Sequence, residues 1–131
     1  LGKNVRINQG SKILGNSKVY IGDNSWIGLN CLISANKPAS VNIGKNCDVG
    51  PNVSIISGTH EIGNDSRRAG KEISYDVKIG NGVWIGSSCT INGGAIIGNG
   101  SIIASGSVVM KGDFPENVII AGVPGKVIRE L

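Results

Sequence analysis

Aromatic residues are scarce in this chain: only 4% of its 131 residues are Phe, Trp or Tyr, although 40% are hydrophobic. The core must therefore be built from aliphatic and small side chains. Few aromatic side chains remain to stack on bases, and no helix-turn-helix, RRM or zinc-finger spacing is present, so nucleic acid is not expected as a partner. Long apolar runs are also lacking, which argues against membrane insertion.

Cysteine and proline are rare as well, with 3 and 4 residues. An odd number of cysteines at irregular spacing predicts neither a disulfide framework nor a zinc knuckle. Reduced thiols and a cytoplasmic location are therefore expected. No cleavable targeting signal is visible, and because Leu1 already lies in a patterned segment, we expect that the natural chain starts further upstream.

Glycine and positive charge are what the chain has in excess. The 21 glycines do not follow the Gly-X-Y period of collagen. The formal net charge is +4, with the single histidine neutral. This charge favours an anionic ligand.

A six-residue repeat runs through the sequence. Residues at the repeat position are all aliphatic, and the residues two places before them are small or β-branched. Side chains two apart on a strand lie on the same face, and Gly, Asn and Asp follow where a sharp turn is needed. This pattern fits neither an amphipathic helix nor a two-sided sheet. It predicts a parallel β solenoid of about seven coils, with three repeats in each coil. The repeat positions are Leu1, Ile7, Ile13, Ile21, Ile27, Ile33, Ile43, Val49, Ile55, Ile73, Ile79, Ile85, Ile91, Ile97, Ile103 and Val109.

Insertions interrupt the repeat after every third aliphatic position as far as Ile55. Two, four and twelve extra residues follow Ile13, Ile33 and Ile55 respectively. If three repeats make one coil, all three insertions leave from the same corner of a triangular prism. We expect stacked loops there to build a wall beside the rod and so to form a cleft. The small positions include Cys31, Cys47 and Cys89, which are predicted to be inert core thiols.

His60 lies at the start of the largest insertion, about 57–72, and is the only histidine of the chain. Histidine is the side chain best suited to act as a general base near neutral pH. Its place in the predicted cleft makes His60 the candidate catalytic residue.

Three segments give this solenoid a family resemblance: Ser57–His60, Ile79–Gly86 and Ala121–Arg129. Together with the repeat, they resemble the hexapeptide-repeat acetyltransferases, in particular the maltose and galactoside type and the surface-polysaccharide O-acetyltransferases. The resemblance implies an all-β, left-handed parallel β-helix over residues 1–131, with a C-terminal extension at about 112–131. The handedness comes from the resemblance alone. The usual His-Pro is replaced here by His60-Glu61, which is closer to the polysaccharide branch.

The same resemblance implies an acetyl-CoA-dependent O-acetyltransferase that needs no metal. His60 is expected to remove the proton from an acceptor hydroxyl, which attacks the thioester directly while backbone N–H groups stabilise the oxyanion. The acceptor is expected to be a sugar or a surface-polysaccharide or lipopolysaccharide precursor. Glu61, another loop carboxylate or a backbone carbonyl remain open as the group that orients His60. The family also implies a homotrimer with active sites between the subunits.

Further site residues follow from the resemblance and the residue types. Expected contacts to CoA are Trp84, beside the pantetheine arm, with Ser87, Lys111, Lys126 and Arg129. Expected contacts to the acceptor are Asn30, Glu61, Arg67 and Arg68. The alternatives are a subunit contact for Trp84, solvated surface charges for the cations and a solvated, mobile loop for the insertion.

Several other functions compete. A carbonic anhydrase of this fold needs three zinc-bound histidines, and the chain has one. A purely structural solenoid gives no reason for loops on one corner with a histidine there. An antibiotic O-acetyltransferase and an amino-sugar N-acetyltransferase stay open as alternatives.

Overall fold

The chain forms a left-handed parallel β-helix of triangular cross-section, as the computed structural model of all 131 residues shows. All regular elements are short strands, and the structure contains no helix that could cross a membrane. Each coil gives one strand to each of three sheets, called here faces 1, 2 and 3. Strands of successive coils pair in parallel and in register, so that equivalent residues stack.

The strands are numbered in chain order. Face 1 consists of β1 (Arg6–Ile7), β4 (Trp26–Ile27), β7 (Asp48–Val49), β12 (Trp84–Ile85), β15 (Ile102–Ile103), β18 (Val118–Ala121) and β19 (Lys126–Glu130). Face 2 consists of β2 (Lys12–Leu14), β5 (Leu32–Ser34), β8 (Ser54–Ile56), β13 (Thr90–Asn92) and β16 (Val108–Val109). Face 3 consists of β3 (Val19–Ile21), β6 (Val41–Ile43), β11 (Val77–Ile79), β14 (Ala95–Ile97) and β17 (Gly112–Phe114). A separate hairpin is formed by β9 (Gly58–Ile62) and β10 (Ala69–Ser74).

The predicted aliphatic positions form the core. Ile33, Ile55 and Ile91 stack on face 2 and are at most 1% exposed, and the equivalent residues of faces 1 and 3 are also buried. The first coil covers the end of the rod, so its repeat residue Ile13 is 43% exposed. Burial of one aliphatic column per face explains why large aromatic side chains are absent from the interior.

Asparagine and glycine make the corners. At the corner between faces 3 and 1, Asn24 and Asn46 have φ values of 59° and 56°. This left-handed conformation is unfavourable for most side chains but accessible to Asn and Gly. Asn30 and Asn52 adopt it at the corner between faces 1 and 2. The chain therefore turns sharply at both corners in each coil.

All three insertions leave from the corner between faces 2 and 3, called here the insertion corner, as predicted. They follow β2, β5 and β8, and the largest contains the β9–β10 hairpin. The repeat position assigned to Ile73 is wrong, because Ile73 pairs with Thr59 inside the hairpin. The solenoid resumes at β11, where Ile79 stacks on Ile43.

The C-terminal segment continues the solenoid before it turns back. Phe114 pairs with Ile97 on face 3 and Ile120 with Ile103 on face 1, while β19 runs antiparallel to β18. Faces 2 and 3 have five strands each, so the rod has five complete coils and not seven. The prediction of seven coils was too high because it assigned residues of the hairpin, the loops and β19 to coils, although these residues lie outside the coils.

Candidate active site

His60 is on β9, the first strand of the hairpin, and its side chain is exposed. Its direct partner across the hairpin is Glu72 on β10. Directly opposed residues of an antiparallel pair place their side chains on the same face. The imidazole and a carboxylate therefore share one side of the hairpin.

The ring of His60 is oriented by a backbone carbonyl. Its Nδ1 atom lies 2.9 Å from the carbonyl oxygen of Gly70 on the opposite strand. A carbonyl oxygen has no proton to give, so Nδ1 must donate and carries the hydrogen in the neutral ring. Nε2 is then left with a free lone pair. Of the three orienting groups considered from the sequence, the structure provides the carbonyl.

Two cavities meet at His60. The first has a volume of about 330 Å³ and is bounded by the hairpin on one side and the loop Asn36–Pro38 on the other. The second has a volume of about 450 Å³ and lies toward the hairpin tip, where Asn64 and Arg67 line it. His60 and Glu72 line both. The imidazole of His60, whose Nε2 atom can accept a proton, therefore lies between two cavities that can hold parts of a ligand.

Glu72 was missed by the sequence reasoning, which considered Glu61 for this place. Glu61 follows His60 directly on β9, so its side chain points to the opposite face of the strand. It lines neither cavity. Antiparallel pairing within the insertion is the signal that would have found Glu72, but the pairing register depends on the turn at residues 63–68.

The two arginines of the hairpin tip have different environments. Arg67 lines the second cavity together with His60. The Nη1 atom of Arg68 donates to the carbonyl oxygen of Gly63 at 3.2 Å, which ties it to the tip. Asn64 Oδ1 accepts from the backbone N–H groups of Ser66 and Arg67 at 3.1 and 3.2 Å. The tip is a turn closed by its own hydrogen bonds.

Asn30 is not brought to His60 within one chain. It follows β4 at the corner between faces 1 and 2, where it is exposed with a φ of 55°. His60 belongs to the insertion corner on the other edge of face 2. The two side chains lie at different corners of the prism.

The residues expected to contact CoA fall into two regions. Trp84 is on the outer surface of face 1, with 57% of its side chain exposed, and Asp48 separates it from Trp26 in the same column. Ser87 follows Trp84 at the adjoining corner, and Lys126 and Arg129 lie on β19 at the end of face 1. Lys111 is instead at the insertion corner, two residues after the end of β16.

The cysteines are inert core residues, as predicted. All three are free and buried. Burial raises the pKa of the Cys47 and Cys89 thiols, which disfavours the thiolate that a nucleophile requires. No group of three or more His, Cys, Asp or Glu side chains is arranged to hold a metal ion.

Two family profiles match the repeat. Residues 76–111 match "Bacterial transferase hexapeptide (six repeats)", and residues 18–57 match "Hexapeptide repeat of succinyl-transferase". No curated protein matches the chain at a significant level.

Solved structures of acetyltransferases are similar over the whole chain. A maltose O-acetyltransferase from Clostridium difficile 630 is 32% identical over 100% of this chain and 68% of its own, with a TM-score of 0.84. A hexapeptide-repeat acetyltransferase from Vibrio cholerae O1 biovar eltor, complexed with acetyl coenzyme A, is 30% identical over 100% and 70%, with a TM-score of 0.84. A galactoside acetyltransferase in complex with coenzyme A is 38% identical over 93% and 65%, with a TM-score of 0.63.

Proposed function

Since the chain belongs to the hexapeptide-repeat acyltransferases, we propose that it transfers the acetyl group of acetyl-CoA to a hydroxyl of a sugar or of a surface-polysaccharide precursor. The acyltransferase class and the CoA donor follow from the family. The hydroxyl acceptor, the saccharide and the catalytic residue are the proposal.

One observation carries the proposal: the hydrogen bond from His60 Nδ1 to the Gly70 carbonyl oxygen. It fixes both the tautomer and the plane of the ring, so that Nε2 is the atom available to take a proton. A base held in this way need not reorganise when the acceptor arrives. The cavities on either side give the acceptor room to present its hydroxyl to Nε2.

The reaction then needs no acyl-enzyme. Nε2 of His60 takes the hydroxyl proton while the hydroxyl oxygen attacks the thioester carbonyl carbon. The tetrahedral intermediate collapses with cleavage of the carbon–sulfur bond, and the proton returns from the imidazolium to the departing CoA sulfur. Glu72, on the same side of the hairpin, is an anionic neighbour for the imidazolium that forms.

A trimer completes this proposal. Trp84 and Trp26 are 57% and 48% exposed on face 1, and aromatic side chains are enriched at subunit interfaces. The separation of Asn30 and Trp84 from His60 within one chain requires that they act at different sites or across a subunit boundary. We propose that these residues act across a subunit boundary. CoA then lies against one subunit and reaches His60 of the next, and its contacts on the first subunit are Trp84, Ser87, Lys126 and Arg129. The proposal includes a cytoplasmic location, which suits the three free cysteines.

The test follows thiol release from acetyl-CoA with panels of sugars, oligosaccharides and antibiotics. We expect a saccharide to give the fastest release and its product to gain one acetyl group by mass spectrometry. Alkaline hydroxylamine removes an ester but not an amide, so this treatment separates O-transfer from N-transfer. An amide product on an amino sugar would replace the O-acetyltransferase assignment, and absence of CoA binding by calorimetry would remove the acetyl donor.

A further inference from the structure

The first cavity has a cation on the wall that faces the hairpin. This wall is the loop Asn36–Pro38, the second insertion of the insertion corner, and it includes Lys37. The opposite wall is formed by the two hairpin strands with His60 and Glu72. Lys37 and His60 therefore line one cavity, where a single bound acceptor can contact both.

The backbone of the loop is tied down on both sides. The N–H of Lys37 donates to Asn16 Oδ1 of the preceding coil at 2.9 Å. The N–H of Asn36 donates to Ser57 Oγ at 2.8 Å, and the N–H of Ser40 donates to Asp76 Oδ1 at 2.9 Å. Ser57 and Asp76 flank the hairpin, so the loop and the hairpin are held in a fixed relation. A lysine on such a loop needs little ordering of the backbone to bind a ligand.

The linings of the two cavities contain two cations and one carboxylate. Lys37 lines the first cavity and Arg67 the second, while Glu72, opposite His60, is the one carboxylate in both linings. Asp76 is near the loop, but its Oδ1 atom accepts the N–H of Ser40. A neutral acceptor would leave the Lys37 ammonium without an ionic partner, whereas an acidic sugar would supply one.

We propose that Lys37 determines acceptor specificity by binding an anionic group, a carboxylate or a phosphate, of the acceptor saccharide. This inference rests on the proposed function, since it names the substrate class of that site. A charge-assisted hydrogen bond from the ammonium holds the anionic group at the loop, and a hydroxyl elsewhere on the same sugar then faces Nε2 of His60. A phosphate of CoA has the same chemistry, and the experiment separates the two sources.

The probes are two matched sugar pairs, methyl glucoside with methyl glucuronide and methyl galactoside with methyl galacturonide. Acetyl transfer to each is measured with the wild type, with Lys37→Gln and with the control Lys45→Gln. Lys45 is exposed at the corner between faces 3 and 1, so its replacement changes the net charge equally but away from the site. The KM for acetyl-CoA and for dephospho-CoA carrying an acetyl group is measured for the same proteins.

We expect the wild type to prefer the uronide of at least one pair by about tenfold or more in kcat/KM. Lys37→Gln should remove most of this preference by a rise in the KM for the uronide, with the neutral sugar and both CoA donors unchanged. Lys45→Gln should leave the preference intact, and raised salt should weaken it.

Three results would overturn the inference. The first is an equal loss of kcat/KM for neutral and acidic sugars in Lys37→Gln. The second is a wild-type preference for the neutral member of both pairs. The third is an effect of Lys37→Gln that is confined to the KM for acetyl-CoA. Transfer to neutral sugars that is independent of Lys37 would leave the proposed function standing. If no acceptor is acetylated, the proposed function fails, and binding of the uronide detected by saturation-transfer NMR and lost in Lys37→Gln still decides the role of the lysine.

Discussion

The ammonium of Lys111 lies over the ring of Tyr75, 4.1 Å from the ring centroid. Tyr75 is the residue directly after the hairpin, and its backbone N–H donates to the carbonyl oxygen of Ser57 at 3.0 Å. The aliphatic part of Lys111 crosses Gly94, where a Cβ atom would lie 2.5 Å from Lys111 Cγ. The lysine that the family resemblance assigns to CoA thus rests against the base of the hairpin.

This position predicts a competition for Lys111. An exposed cation–π contact contributes about 0.5–1 kcal/mol, whereas a hydrogen bond to a charged phosphate contributes about 1.5–3 kcal/mol. Lys111 should therefore leave the Tyr75 ring and bind a phosphate of CoA. We expect Lys111→Gln to weaken CoA binding by roughly 5–30-fold, and Tyr75→Leu to strengthen it by about twofold to fivefold because the competing contact is lost.

Calorimetry with CoA measures both effects, and dephospho-CoA shows whether the ribose phosphate is the partner. Lys45→Gln, at the corner between faces 3 and 1, is the control for a lost surface cation. Unchanged affinity in Lys111→Gln would remove Lys111 from the CoA site and leave it as a support for the hairpin.

Removal of the proposed base gives the second prediction. His60→Ala should lower kcat by about 10²–10⁴-fold, the range that general base catalysis contributes. CoA affinity and thermal stability should stay at the wild-type level, because His60 is exposed and its one side-chain hydrogen bond is to the Gly70 carbonyl within the same hairpin. Thiol release, calorimetry and thermal denaturation measure the three quantities, and full activity of the variant on every acceptor would show that another group is the base.

Mixed trimers extend this prediction to the subunit boundary. If each site combines His60 of one subunit with Trp84 of another, refolding His60→Ala together with Trp84→Ala restores intact sites. Random mixing would return roughly a quarter of the wild-type activity. Activity no higher than that of the separate variants would place both residues in the same subunit's site.

Much of the fold could be predicted because every coil imposes the same environment on the chain. An aliphatic residue at each sixth position, with a small residue two places before it, specifies the prism without any long-range information. Ile73 shows the limit of this reasoning. Side chains in a hairpin strand alternate with a period of two, and six is a multiple of two, so a hairpin residue falls into the repeat by coincidence.

The site was less accessible from sequence, for two reasons. Glu72 faces His60 only through the antiparallel register of the hairpin, which the repeat does not encode. Asn30 was grouped with His60 by family resemblance, although the repeat assigns the two residues to different corners. Asn30 follows the second aliphatic position of its coil, whereas His60 and Lys111 follow the third.

A stability prediction concerns the stacked core. Ile55 is fully buried between Ile33 and Ile91, so Ile55→Ala should lower the free energy of unfolding by about 2–5 kcal/mol. Ile62 is 90% exposed on the hairpin, and Ile62→Ala should change it by less than about 0.5 kcal/mol. Urea denaturation at one fixed protein concentration makes the comparison, and similar losses for both variants would contradict the core assignment.

Glycine at the corners gives a second pair of variants. A Cβ atom on Gly22 would lie 2.6 Å from the backbone carbon of Gly44 in the next coil. The coils cannot move apart, because Gly22 N–H donates to the Ile43 carbonyl at 2.9 Å. Gly22→Ala should therefore destabilise by about 1–3 kcal/mol.

At Gly112 the same change meets only ordinary contacts, the nearest at 3.7 Å to the Phe114 ring. Gly112→Ala should be neutral or stabilise by about 0.4–1 kcal/mol. Thermal denaturation of the two variants should give shifts of opposite sign or clearly different size, and equal destabilisation would argue that coil spacing is not the cause.

The buried thiols predict a dependence of stability on alkaline pH. Burial raises the pKa of Cys47 and Cys89 above the ordinary value of a cysteine thiol in the folded chain. Their contribution is therefore fully present below the unfolded pKa and is lost as the pH rises through the higher folded pKa. The free energy of unfolding should fall more steeply above about pH 9 in the wild type than in the Cys47→Ala, Cys89→Ala double variant.

Urea denaturation across that pH range isolates the thiols, since lysine and tyrosine titrate in both proteins. Thiol-specific labelling of the folded protein at pH 8 should also be slow and should become fast on unfolding. Parallel pH profiles for the two proteins would contradict a role for the thiols.

In this fold, the residues that build the rod and the loops that line the site belong to different parts of each coil. Two edges of the prism keep a constant winding, and the third accepts loops of any length because a longer loop there leaves every rung of the ladder unchanged. Loop closure costs free energy only slowly as length grows. The loops at the insertion corner can therefore change while the rest of the rod stays the same. Exchanging the segments at residues 35–40 and 57–76 between relatives offers a direct route to transfer acceptor specificity onto an unaltered scaffold.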